Sequence, residues 1–121
     1  MLNPKTSFSP LRLTAYLRND VELEMTVQND GNEPRWIECD ITVPDAVSLA
    51  PDKSLSKGRL RVGIALAGKK VSKKVKIYGG AGSYPDTYLI RLTYFGFATD
   101  GTVSDRQEAK AELRCEKTGI W

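Results

Sequence analysis

The sequence predicts an all-β sandwich, and three observations carry that prediction. Seven runs of residues alternate apolar and polar side chains with a period of two, the spacing of half-buried strands. Clusters such as Asn29-Asp30-Gly31, Pro44-Asp45, Ala67-Gly68 and Asp100-Gly101 lie between the runs and supply residues that tolerate positive φ or stop strands. No run reads better as a helix than as a strand, and short strands at regular spacing build sandwiches.

Taken in order, residues 1–9 contain Pro4 and small polar side chains without periodicity, and read as a flexible N-terminal arm. Leu11, Leu13, Ala15 and Leu17 alternate with Arg12, Thr14, Tyr16 and Arg18 as a first strand. Asn19-Asp20 leads into a second, where Val21, Leu23, Met25 and Val27 face one way and Glu22, Glu24, Thr26 and Gln28 the other. After the turn at 29–34, Ile37, Cys39, Ile41 and Val43 alternate with Glu38, Asp40 and Thr42 until Pro44 ends the strand. Val47 and Leu49 form a short strand or dip into the core.

Leu60, Val62, Ile64 and Leu66 then share one face. Beyond the turn at 67–70, Val71, Val75 and Ile77 mark the next strand. Lys73 falls on its inward phase, which places that residue near a sheet edge or a bulge. Gly79 to Ser83 reads as a flexible loop. Tyr88, Ile90, Leu92 and Tyr94 alternate with Leu89, Arg91, Thr93 and Phe95. Ala109, Ala111, Leu113 and Cys115 define the last strand, with an amphipathic helix over 104–115 as the alternative. The reading gives one domain over 10–117 and a tail at 118–121. Its core is Leu13, Leu23, Met25, Val27, Ile37, Ile41, Leu60, Val62, Val75, Ile77, Ile90, Leu92 and Leu113.

Composition narrows function. The 121 residues fit one core. Histidine is absent, which removes the commonest general base and metal ligand and excludes a histidine-activated nucleophile within the chain. Two cysteines make no disulfide framework. No apolar run reaches membrane-spanning length, and the N-terminus lacks the apolar stretch of a secretory signal. The expected location is cytoplasmic, or extracellular if the chain is a fragment of a larger surface protein. Net charge is +3, unevenly spread: Lys53, Lys57, Arg59, Arg61, Lys69, Lys70, Lys73, Lys74 and Lys76 follow one another with no acid between Asp52 and Asp86.

The string from Val27 through Asn29, Gly31 and Pro34 resembles the V-x-N-x-G-x-x-P turn of prokaryotic immunoglobulin-like domains, including the CARDB (cell-adhesion-related) group. Leu66-Ala67-Gly68-Lys69, the basic strand at 71–77, and Gly82-Ser83-Tyr84 with Tyr88 are similar to later landmarks of those domains, over about residues 20–116. The resemblance implies an immunoglobulin-like β-sandwich of about seven antiparallel strands in two sheets. Tyr88, two residues before Ile90, then matches the tyrosine corner of that fold, with Ile90 where a second core cysteine would stand. Leu23 or Met25 stands where the first would be, so the usual inter-sheet disulfide is absent. Cys39 and Cys115 fall on strands of one sheet with another strand between them, ~10 Å apart at the least. They are expected to be free, buried thiols, with pairing as the alternative if the last strand lies elsewhere.

Two features invite a functional reading. Trp36, Leu89 and Phe95 lie on the outward phase of two strands expected to be adjacent, with Phe97 close by. Such an aromatic patch suits docking of a protein partner or self-association as a homodimer. A bulge turning Trp36 inward, or cover from the arm or from Ile120-Trp121, is the plain alternative. Arg59, Arg61, Lys69, Lys70, Lys73, Lys74 and Lys76 could instead bind nucleic acid or anionic lipid. Their plain reading is cross-strand pairing of Lys74 and Lys76 with Glu22 and Glu24, together with protection of an edge. Acids at 30–33 and at Asp100 and Asp105 read as turn chemistry, and Gly79 to Gly82 lacks the helix of a phosphate loop. No catalytic residues, metal or cofactor are expected. The chain reads as a non-catalytic protein-interaction module docking through the outer patch or by strand addition at a sheet edge. The alternatives are a basic nucleic-acid-binding protein and an accessory or adhesion domain of a surface protein.

Overall fold

Alternation around the 29–34 turn becomes two long strands. In the computed structural model, which describes residues 1–117, β3 (Asn19–Asn29) buries Val21, Leu23, Met25 and Val27 completely. β4 (Arg35–Thr42) does the same with Ile37, Cys39 and Ile41. The other strands are β1 (Leu2–Ser9), β2 (Arg12–Thr14), β5 (Lys57–Ala65), β6 (Lys70–Gly79), β7 (Asp86–Phe97) and β8 (Val103–Glu116). The described residues contain no helix, so the segment 104–115 is a strand. None, therefore, is a helix long and apolar enough to cross a membrane. The tail at 118–121 lies outside the described residues.

The strands form two sheets, one in the order β1-β3-β6 and the other β2-β8-β7-β4-β5. One continuous apolar core draws on both sheets, so they are the two layers of a sandwich. Of the expected core, only Leu60 and Val75 are incompletely covered, and both sit on edge strands. The chain crosses from the first sheet to the second at the cis Ser9–Pro10 bond.

Three expectations are corrected. Residues 1–9 are not an arm: they form β1, antiparallel to β3 from Leu2↔Asn29 to Ser9↔Glu22, with Leu2 buried. Small polar side chains hid this strand, because it lies at a sheet edge where only Leu2, Pro4, Thr6 and Phe8 turn inward. The run at 11–18 keeps only three residues as β2, parallel to β8, and then turns. The period-two reading of 60–66 fails at a β-bulge, described below.

Buried polar side chains pin both ends of the sandwich. Asn29, 1 % exposed, donates from Nδ2 to the carbonyls of Glu33 at 2.7 Å and Ala65 at 3.0 Å, and its Oδ1 accepts from the Gly31 amide at 2.9 Å. It thereby ties the β3–β4 turn to the end of β5. At the far end, buried Ser83 donates to the Ala46 carbonyl and accepts from the Gly80 amide. Tyr88 donates to the Tyr84 carbonyl four residues upstream.

Candidate functional site

Two irregularities shape the outer face of the five-stranded sheet. Ile37 pairs with Gly63 but Glu38 pairs with Arg61, so Val62 is an extra residue in β5. Val62 and Gly63 both turn inward, and every later residue flips. Ala65 enters the core, while Ile64 and Leu66, expected inside, are each 59 % exposed. The register of β7 and β8 shifts in the same way between Gly96↔Asp105 and Phe97↔Val103, with Ser104 extra. Its Oγ donates to the Gly96 carbonyl at 3.1 Å.

The two bulges align a row across four strands. Ile64 pairs with Trp36, Trp36 with Phe97, and Phe97 with Val103. Directly paired residues share a face, so four large apolar side chains run side by side over three strand spacings, ~14 Å. Ile64, Trp36 and Val103 are exposed, and Phe97 is half-buried. A groove of about 510 Å³ opens beside the row. Its lining includes Pro34, Trp36, Ile64, Leu66, Phe97 and Ala98.

The next row along the sheet is charged. Arg61, Glu38, Phe95 and Arg106 are in register there. The Arg61 guanidinium lies 5.1 Å from the Trp36 ring centre, and that of Arg59 lies 5.2 Å from Phe95. Arg59 is itself held by Asp40 through Nε–Oδ1 at 2.6 Å and a second bond at 3.1 Å. That hydrogen-bonded fork keeps the Asp40 carboxyl below its ordinary pKa. Behind the row, Arg35 reaches across to Asp105 at 3.3 Å and closes the end of the core.

The expected patch is therefore gathered in part. Trp36 and Phe97 stand at its centre, and Phe95 lies one row away under Arg59. Leu89 does not belong to it. Phe97 lies eight positions along β7 from Leu89, ~26 Å of strand, and Arg91 and Thr93 intervene on the same face. Neither alternative arrangement of the patch is adopted by the described residues: Trp36 faces outward and the first nine residues lie at the edge of the other sheet. Cover by Ile120-Trp121 falls outside the described residues. Sequence reading missed Ile64, Leu66 and Val103. The isolated Gly63 inside a strand pattern was the available signal, since it marks a bulge or a close backbone approach.

The basic residues do not converge on one surface. Arg59 and Arg61 project from the outer face of the five-stranded sheet, whereas Lys70, Lys74 and Lys76 project from the opposite outer face. Lys69 sits in the turn between them. Lys74 and Lys76 lie opposite Glu24 and Glu22, in the expected register. Lys73 is opposite Met25 on the inward phase of β6 and is exposed because β6 is an edge strand.

Cys39 and Cys115 are free and buried. They stand on β4 and β8 with β7 between, opposite Tyr94 and Asp86 respectively. Burial, with the Asp40 charge adding to it, pushes the Cys39 thiol up to about 12. Tyr94 is fully buried against it, and burial raises its phenol too. A low-pKa nucleophile needs the reverse environment. Asp100 accepts from the Thr102 amide and hydroxyl, which is turn chemistry. No group of three or more His, Cys, Asp or Glu side chains is placed to hold a metal among the described residues.

These features define a class: an all-β, two-sheet sandwich presenting an apolar row on its wider sheet. No family model matches the chain, and no curated protein matches its sequence. Solved structures do share the fold. One is that of Spo0M, sporulation control protein, from Bacillus subtilis, with a TM-score of 0.53 and 9 % identity. The match covers 97 % of this chain and 50 % of that one, so the chain spans about half the length of the solved protein. At that identity the likeness is one of fold alone.

Proposed function

We propose that this chain is a non-catalytic, immunoglobulin-like protein-interaction module that docks a partner on the outer face of its five-stranded sheet. The observation that carries the reading is the Ile64–Trp36–Phe97–Val103 row, raised by two bulges and bordered by Arg61, Glu38 and Arg106. An apolar centre containing Trp, bordered by arginines, is the composition of an interface hot spot. Bulges are features that re-aim side chains, and here both re-aim them to the same place.

The immunoglobulin-like assignment is supported by the succession of strands and by the corner at Tyr88. β3 pairs β6, β4 and β8 flank β7, and the early β2 runs parallel to β8. The occupant is a protein segment presenting one or two large apolar side chains to the groove. A face-to-face dimer would need ~800 Å² of buried surface from each copy. The groove's volume instead suits an inserted anchor. Charges of both signs border it, so shape and apolar contact govern selection.

The test is capture from the source organism's extract by the wild-type chain and by Trp36→Ala and Ile64→Asp variants, with nuclease, across a salt series. Retention of one partner at high salt by the wild type, and its loss in both variants, supports the reading. Capture that is indifferent to both substitutions, or that vanishes with nuclease, refutes it. Concentration-dependent dimerisation that these variants abolish would replace the foreign partner with a second copy.

A further inference from the structure

The free edge of β6, between Ser72 and Lys76, is separate from the apolar row. We infer that it accepts an acidic, extended peptide segment as an added strand. At the end of β6, Tyr78 and Ser48 exchange both backbone hydrogen bonds, at 2.8 and 2.9 Å, in an isolated antiparallel bridge. The backbone of Tyr78 is thus directed away from β3. The β3–β6 register is unbroken, so the backbones of Lys76, Lys74 and Ser72 face the same open side. A strand entering there continues the pairing that Ser48 begins.

Charge states what that strand carries. Lys73, Lys74 and Lys76 crowd this edge, all exposed, and among the described residues no lysine is in an ion pair. Glu24 and Glu22 offset Lys74 and Lys76 from the far side, but Lys73 has Met25 as its neighbour. Incoming residues opposite Lys76 and Lys74 lie beside ammonium groups on the outer face. The residue opposite Val75 lies over Val75, which is only partly buried. The fitting pattern is acid, apolar, acid, acid.

Other occupants fit less well. Two β6 edges from two copies would set lysines against lysines, and like charges directly opposite are destabilising. Residues 70–76 carry no aromatic on which a base could stack, and Glu22 and Glu24 share the outer face. The β5 edge on the other sheet is interrupted by its bulge, and its Arg59 is already engaged by Asp40.

The experiment uses the full chain and a short fluorescein-labelled peptide carrying the order Glu-Val-Glu-Glu, followed by anisotropy and by amide hydrogen exchange. The expected result is saturable binding that weakens with salt and slows exchange at the amides of Lys74 and Lys76. Binding should fall about three- to tenfold in the Lys74→Gln/Lys76→Gln double variant. A peptide N-methylated on its pairing edge should bind no better than free fluorescein, a control that does not depend on any variant folding. No binding at millimolar peptide overturns the inference. So does binding indifferent to N-methylation, which would be ionic contact without a strand. Tighter binding of an oligo-dT strand, with Lys74 and Lys76 exchange unchanged, would reassign the lysines to nucleic acid and overturn it too.

Discussion

Replacing Asn29 by Ala removes the pin that holds the groove end of the sandwich together. The side chain makes three hydrogen bonds, to Glu33, Ala65 and Gly31. The bond to Ala65 is buried, so its loss strands a carbonyl where water does not reach, at about 1–3 kcal/mol. The other two are part-buried, and water can replace them in part, at about 0.5 kcal/mol each. The expected total is about 3 kcal/mol, equivalent to roughly 12 °C in Tm for a domain of this size. Asn29→Asp should be at least as damaging, because it keeps the acceptor for Gly31 but turns a carboxylate oxygen toward two carbonyls. Urea denaturation followed by circular dichroism reads the loss as a shifted midpoint with unchanged slope. Exposed Asn32→Ala is the control and should stay within about 0.5 kcal/mol. A loss below about 1 kcal/mol for Asn29→Ala would refute the assignment. The shape of this end of the sandwich would then rest on backbone bonds alone, from the Asn29 amide to Lys69 and from the Gly68 amide to Asn29.

Three further outcomes are expected. Gly63→Ala should destabilise the fold by about 2–3 kcal/mol in the same assay, because φ is 138° and an added Cβ would lie 2.6 Å from Val71 Cγ2. Wild-type stability here would show that β5 moves away from β6 without cost. Tyr94→Phe should leave stability unchanged or raise it by up to about 1 kcal/mol, since the buried hydroxyl has no partner among the described residues; a clear loss would reveal a partner for it. The Cys39 thiol is raised from 9.0 to about 12, so the folded state holds its proton where the unfolded state has lost it. Its contribution is fully present below the unfolded value and is lost as pH climbs above it, at about 1.4 kcal/mol per pH unit. Urea midpoints between about pH 9 and 11 should therefore fall less steeply in Cys39→Ala than in the wild type, and equal slopes would contradict the shift.

Period-two alternation was legible wherever a strand had one wet face and a partner on both sides. β3, β4 and β7 satisfy both conditions, and their inward residues were read correctly from spacing alone. The β1 edge was not legible. β1 is a strand because β3 offers it backbone bonds, and its own side chains say little, since Ser7, Ser9 and Asn3 face water. Lys73 was legible as an anomaly: a lysine on an inward phase pointed to an edge or a bulge, and β6 is an edge. The patch was half legible for a related reason. Trp36 and Phe97 follow the phase of long regular strands, whereas Ile64, Leu66 and Val103 depend on one inserted residue in each neighbour. A one-residue insertion changes no composition and no local propensity, yet it reverses every later side chain.

The same insertion argues that the apolar row is there for a use. A regular β5 would have carried Ile64 and Leu66 inward beside Leu60 and Val62, the arrangement their spacing favours. The bulge gives up that burial, roughly 1.5–3 kcal/mol for each large side chain left in water. It also requires glycine at 63, where Val71 of the three-stranded sheet approaches too closely for a Cβ. Protection of the β5 edge alone would not need this, because Lys57, Arg59 and Arg61 already guard it and a bulge with polar residues beyond would do as well. The bulge in β8 also lies on a stretch with β7 as its one paired neighbour, because β2 reaches only Arg114–Glu116, yet it brings Val103 rather than a polar side chain into the same row. Two separate departures from regular pairing, each exposing an apolar residue and both in line with Trp36, favour a docking row over an accident of packing.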